Sequence, residues 1–209
     1  MNHPATSIRI QAACSELIWA ARLNLLWIVF TLLGGVILGL GPATVAAYTL
    51  ARRHGQGESF QAWPEFWTVY RREFVRASLL VLPAAVLGTI LVGNYLYFSA
   101  LGPGSGALRI ATFVALIALA GVGAYLGPLY AHYDLPLWAY WPKASQLALM
   151  RPASSVLLLL ALLAIAYATS AAPILAPVIS FGAWIHLNTW LCLRFFAENE
   201  TRLHSKGNS

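Results

Sequence analysis

Charge is scarce in this chain: of 209 residues only 10% are Asp, Glu, Lys or Arg, against roughly a quarter in an ordinary soluble domain. So few charged side chains cannot coat a globule of this size, and the uncoated apolar surface would aggregate in water. An ordinary soluble domain is therefore excluded. Cysteine is almost absent. Cys14 and Cys192 form no CxxC and have no second pair, which excludes a disulfide framework and a structural zinc site. Asp134 is the single aspartate, and the five histidines, His54, His132, His186 and His204 among them, are scattered without HExxH or paired spacing, so no metal site or cofactor is expected. No GxSxG, SxxK or P-loop is present, and without a nucleophile or phosphate cradle to start from the chain is read as a non-enzyme.

What the chain has in abundance is apolar sequence, 59% of its residues, with a mean hydropathy of +0.69. It comes in blocks long enough to cross a bilayer. The first, 17–40, would extend about 36 Å as helix, more than a hydrocarbon core of about 30 Å. It is too long for the apolar core of a secretory signal and is expected to remain as an anchor. Further crossings are predicted at 77–101, 107–130, 154–170 and 174–196, the last two drawn from a stretch, Pro152 to Leu193, that holds no charged residue. The fold class is thus all-α and polytopic, a single helical membrane domain of about five transmembrane helices.

Two features interrupt this pattern. At Gly39-Leu40-Gly41-Pro42-Ala43-Thr44 the proline removes a backbone donor and the glycines loosen the chain, which predicts a broken helix at Gly41-Pro42. A half-helix from Ala43 to Arg53 follows, too short at about 16 Å to cross alone; counting it as a crossing would give six spans. The second feature is the segment Arg52 to Arg76, where Arg52, Arg53, Arg71, Arg72 and Arg76 stand against Glu58, Glu65 and Glu73. Within it Phe60, Trp63, Trp67, Tyr70 and Phe74 recur at three- and four-residue steps, the pattern of an amphipathic helix lying in the headgroup layer.

The net charge of +6 would suggest nucleic acid in a soluble protein, but the basic residues fall between apolar blocks, so no nucleic-acid partner is expected. Five crossings put the Arg52–Arg76 segment, a second polar segment 131–151 and the C-terminus on one side, which the positive-inside rule makes cytoplasmic. The tail from Glu198 is read as disordered. A tandem duplication is suggested by Leu40-Gly41-Pro42, Trp63-Pro64 and Arg76-Ala77-Ser78 beside Leu126-Gly127-Pro128, Trp141-Pro142 and Arg151-Pro152-Ala153-Ser154, giving units 17–101 and 107–170.

Polar residues inside spans cost free energy unless they find partners. Asn24, Asn94, His186 and Asn188 are such residues, to be read first as interhelical hydrogen-bonding groups and second as the lining of a substrate path. Asn24 with Gly41, Pro42, Ala43 and Thr44 is the candidate structural or ligand motif, since the carbonyls freed by Pro42 need donors and the Asn24 amide and Thr44 hydroxyl are suited to the task. His132-Tyr133-Asp134 reads as a solvated interfacial loop, and Glu58, Glu65 and Glu73, alternating with arginines, as surface ion pairs.

Asn24-Leu25-Leu26-Trp27, then Leu40-Gly41-Pro42-Ala43-Thr44, Ala47-Tyr48 and Arg72-Glu73-Phe74-Val75-Arg76-Ala77 resemble the YesL family of bacterial integral membrane proteins over roughly the first 80 residues. The chain departs from that pattern at Thr31-Leu32-Leu33-Gly34-Gly35, where a proline-containing stretch is expected, so its first helix should bend differently. The resemblance implies a bacterial inner (plasma) membrane location and association with carbohydrate uptake, including sugar ABC importers, and supplies no catalytic residues. The expected function is therefore a non-catalytic accessory of a carbohydrate importer, in contact with the lipid bilayer and with permease subunits or further copies of itself. The alternative is a stand-alone small-solute transporter or channel-like protein.

Overall fold

The computed structural model describes residues 3–173, 175, 178, 180–192 and 194. Its helices are α1 (His3–Leu33), α2 (Ile37–Gly55), α3 (Ala62–Arg72), α4 (Phe74–Ala100), α5 (Gly106–His132), α6 (Leu137–Met150) and α7 (Pro152–Ala171), with a short 3₁₀ turn, Pro103–Ser105, before α5. A further helical run covers 181–192, and no strand occurs among the described residues. Among the described residues, four stretches are long and apolar enough to cross a membrane: Cys14–Leu33, Phe74–Ala100, Gly106–His132 and Pro152–Ala171. Three of them match the expected spans 77–101, 107–130 and 154–170 to within a few residues. Of the fifth expected span, 174–196, only 175, 178, 180–192 and 194 are described, and the tail 198–209 lies outside the described residues.

The first span requires correction. It ends at Leu33 rather than at residue 40, because the chain turns at Gly34–Val36. There Val36 N–H bonds back to the Thr31 carbonyl at 2.9 Å and Gly35 N–H to Leu32 at 3.0 Å, the paired bonds of a Schellman helix end, and Gly35 takes the required positive φ of 73°. Val36 follows with φ 64° and ψ −66°, the rare and strained γ-turn, closed by Ile37 N–H on the Gly35 carbonyl at 2.8 Å. The polypeptide then doubles back, so that His54 near the end of α2 lies 3.2 Å from Glu16 at the start of the apolar part of α1. The two ends of this hairpin are adjacent, whereas the five-span reading separates them by one crossing.

Nor is the helix broken at Gly41-Pro42. Both residues lie inside α2, which runs unbroken over 19 residues with Pro42 in its second turn. The carbonyl that Pro42 leaves without a helical donor is that of Leu38, and the Ser78 hydroxyl of α4 stands 3.1 Å from it, sharing its proton with the Phe74 carbonyl at 2.7 Å. Gly41 serves a different purpose: a β-carbon there would sit 2.7 Å from both the Ala77 carbonyl oxygen and the Ser78 Cα, so its hydrogen is what lets the α2 and α4 backbones touch. With Gly39, Ala43, Ala46, Ala47 and Ala51 also buried, α2 is the narrow central helix of the bundle, packed by α1, α3, α4 and α5.

Helix α3 carries the aromatic stripe, but the structure divides it. Phe66, Val69 and Tyr70 are buried, and Phe30 of α1 meets Trp63, Phe66, Trp67 and Tyr70 at ring distances of 4.7–5.8 Å. Trp63 and Trp67 remain partly exposed at 57% and 38%, which leaves two rings of the stripe for the membrane surface. The outer faces of α4, α5 and α7 are lined by exposed Leu, Val, Ile and Phe, surface that only hydrocarbon would solvate without cost.

Candidate functional site

Of the intramembrane residues singled out by sequence, Asn24 and Asn188 each centre a buried contact between helices. Asn24, fully buried on α1, accepts the N–H groups of both Phe181 and Gly182 on its Oδ1 at 3.0 Å. These donors follow π-helical turns at Val178 and Ser180, where the regular helical ladder is interrupted. Trp27, one turn along α1 from Asn24, stacks on the Phe181 ring at 3.9 Å and donates its Nε1 to the Thr44 hydroxyl at 3.0 Å. Thr44 in turn donates to the Leu40 carbonyl at 2.7 Å. Asn24 and Thr44 therefore serve the 181–192 helix and α1, while Ser78 attends to the carbonyl freed by Pro42.

Asn188 is the second centre. Fully buried, it donates its Nδ2 to the Tyr48 hydroxyl at 2.8 Å and to the Ala124 carbonyl at 2.9 Å, and accepts the Cys192 thiol at 3.4 Å. Ala124 is four residues before Pro128, so its carbonyl is the one that proline leaves unpaired in α5. The Leu-Gly-Pro motifs at 40–42 and 126–128 thus lie inside helices, and at each the carbonyl freed by the proline receives a side-chain donor from another helix. His186 pairs with Glu16 at 3.0 Å and lies 5.8 Å from the His54 ring. Asn94 takes no part: it lies on the exposed side of α4.

Sequence reasoning missed a polar cavity at the end of the bundle. Where α2, α3, α4, α5 and α6 approach one another, a cavity of about 440 Å³ is lined by Arg52, Arg72, Arg76, Glu73, Tyr130 and Asp134, among others. Glu73 accepts the Tyr130 hydroxyl at 2.6 Å and Arg72 Nε at 2.8 Å. Arg76 reaches Asp134 at 3.2 Å and the Leu135 carbonyl at 2.5 Å. Burial alone would raise the Glu73 carboxyl, but the Tyr130 and Arg72 hydrogen bonds and the neighbouring Arg72 and Arg76 charges outweigh it and hold its pKa below the ordinary value. Tyr140 locks the far wall, donating to the Tyr133 carbonyl at 2.8 Å and accepting Leu135 N–H at 3.0 Å. His132-Tyr133-Asp134, read from sequence as a solvated loop, belongs to this wall. The available signal was charge clustering in both polar segments; their meeting needed the α4–α5 hairpin.

A bundle of apolar helices around a small-residue central helix, with polar segments gathered at one end, defines a polytopic α-helical membrane protein. The family model described as "Protein of unknown function, DUF624" matches residues 20–95. The uncharacterized protein YesV of Bacillus subtilis (strain 168) is 32% identical over 200 residues, 95% of this chain and 96% of its own. From the same organism, YteU is 32% identical over 138 residues, 64% of this chain and 61% of its own, and YesL is 31% identical over 157 residues, 69% of each. The chain belongs to this YesL-like family of membrane proteins. No solved structure matches it.

Proposed function

We propose that this protein is a non-catalytic accessory of a bacterial carbohydrate uptake system, embedded in the inner membrane and docked on the permease subunits of an ABC importer, with the polar end of the bundle and the C-terminus in the cytoplasm. The reading draws on the resemblance carried by Asn24-Leu25-Leu26-Trp27 and Gly41-Pro42-Ala43-Thr44, and on the positive-inside rule. The observation that carries it is α6. This helix lies outside the candidate spans and buries Tyr140 and Ala144 while presenting Trp138, Leu149 and Met150 at about 80% exposure. A short helix pinned to the bundle on one side and apolar on the other is suited to a partner helix.

Photo-crosslinking from position 138 in native membranes tests it. Permease subunits captured in a sugar-dependent manner are the expected result, and crosslinks confined to lipid or to the protein itself would reject the accessory role. The competing reading, a stand-alone small-solute transporter, is favoured by a second cavity of about 160 Å³ beside Thr44 and Tyr48, adjacent along α2 to the polar one at Thr49 and Arg52. Solute flux into proteoliposomes holding this chain alone would select it.

A further inference from the structure

We propose that the polar cavity at the end of the bundle binds a phosphate-class oxyanion, supplied by an anionic lipid headgroup or by a soluble organophosphate, with Arg52 as its anchoring cation. Three arginines on three helices face the cavity, Arg52 from α2, Arg72 from α3 and Arg76 from α4. Two of them are engaged within the protein, Arg72 by Glu73 and Arg76 by Asp134. Arg52 is the cation in excess, and its Nε is buried with no hydrogen-bond partner among the described residues. A guanidinium at the cavity wall that no carboxylate of the described residues engages is a ready partner for an oxyanion there, through the charge-assisted bonds that guanidinium forks make best.

The carboxylates do not make this a cation site. Glu73 already accepts from Tyr130 and Arg72, and Asp134 from Arg76, so each carboxylate is already paired with an arginine and the three arginines outnumber them. The cavity volume of about 440 Å³ lies within the range of small-molecule sites, about 300–1,000 Å³, and admits a group larger than a lone ion. A carboxylate would satisfy Arg52 as well as a phosphate; the depth selects the phosphate. Glu73 immediately precedes the candidate span Phe74–Ala100, and Tyr130 lies in the last turn of Gly106–His132, so the cavity opens where apolar helix gives way to headgroups.

The test uses the full chain, purified in detergent and exchanged into nanodiscs, and is independent of any importer partner. For the soluble source, inorganic phosphate and glycerol 3-phosphate are titrated against thermal unfolding. For the lipid source, retention of phosphatidylglycerol against phosphatidylcholine is read by native mass spectrometry. Saturable stabilisation by the soluble compounds assigns an organophosphate, and selective retention of phosphatidylglycerol assigns a headgroup. Either supports the site, provided that Arg52→Gln weakens it about tenfold or more while Arg109→Gln, on the exposed first turn of α5, leaves it unchanged. In the wild-type chain, phenylglyoxal modification of Arg52 should be slowed by the bound compound and that of Arg109 should not, which decides the matter even if Arg52→Gln does not fold. Neither probe binding, phosphatidylcholine retained equally, or Arg52 left unprotected would each overturn the proposal.

Discussion

Asn188 donates its side-chain amide to the carbonyl oxygen of Ala124, the group that Pro128 leaves without a helical donor. The bond joins residues 64 positions apart and lets a proline sit in the interior of α5 without exposing a polar group to hydrocarbon. Asn188→Leu should therefore cost about 1 to 2 kcal/mol of stability in detergent. The cost should shrink when Pro128→Ala restores the backbone N–H, because Ala124 then has its own helical partner. Thermal unfolding of the two single variants and the double variant measures the coupling; strict additivity would mean that the two residues act separately.

Gly41→Ala should destabilise by about 1 to 3 kcal/mol, since the added methyl meets the α4 backbone and neither chain can yield without separating the helices. Gly93→Ala is the matched control. That residue lies inside α4 with nothing near an added β-carbon, so alanine should be neutral or stabilising by up to about 1 kcal/mol through helix propensity. Equal effects at both positions would remove the close-contact explanation of Gly41.

The depressed Glu73 pKa implies a pH dependence of definite sign. Its folded-state pKa lies below the unfolded value, so its contribution is present above the ordinary carboxylate range and is lost as pH falls through the depressed folded pKa. Unfolding temperature should drop over this acid window in the wild-type chain, and Glu73→Gln should flatten that part of the profile. A profile unchanged by the substitution would show that other carboxylates carry the acid sensitivity.

Trp63 and Trp67 are the exposed rings of the α3 stripe, and Arg71 stands 5.4 Å from the Trp67 ring. Single-tryptophan variants retaining either one should be quenched by shallow lipid-borne quenchers and spared by deep ones. Water-like emission from both would take α3 off the membrane surface.

Three of the expected spans coincide with helices of the structure, because partition into lipid is a property of each segment's own composition and length. The residues that carry the family resemblance were also legible: Asn24, Trp27, Gly41, Thr44 and Tyr48 all make interior contacts between helices. Their partners were not, since Asn24 meets residues 157 and 158 positions away and nothing local encodes such a distance. The turn was assigned to Pro42 because proline removes a donor, yet the loss of a donor breaks a helix only where nothing replaces it, and Ser78 of a neighbouring helix does. At Gly34–Val36, by contrast, Gly35 could adopt the positive φ of a helix end. The arginines and glutamates of the polar segments read as surface pairs while each segment was considered alone. Only the packing of α2 through α6 gathered Arg52, Glu73 and Asp134 around one cavity, because the position of a charge in three dimensions depends on which helices touch, and composition is silent on that.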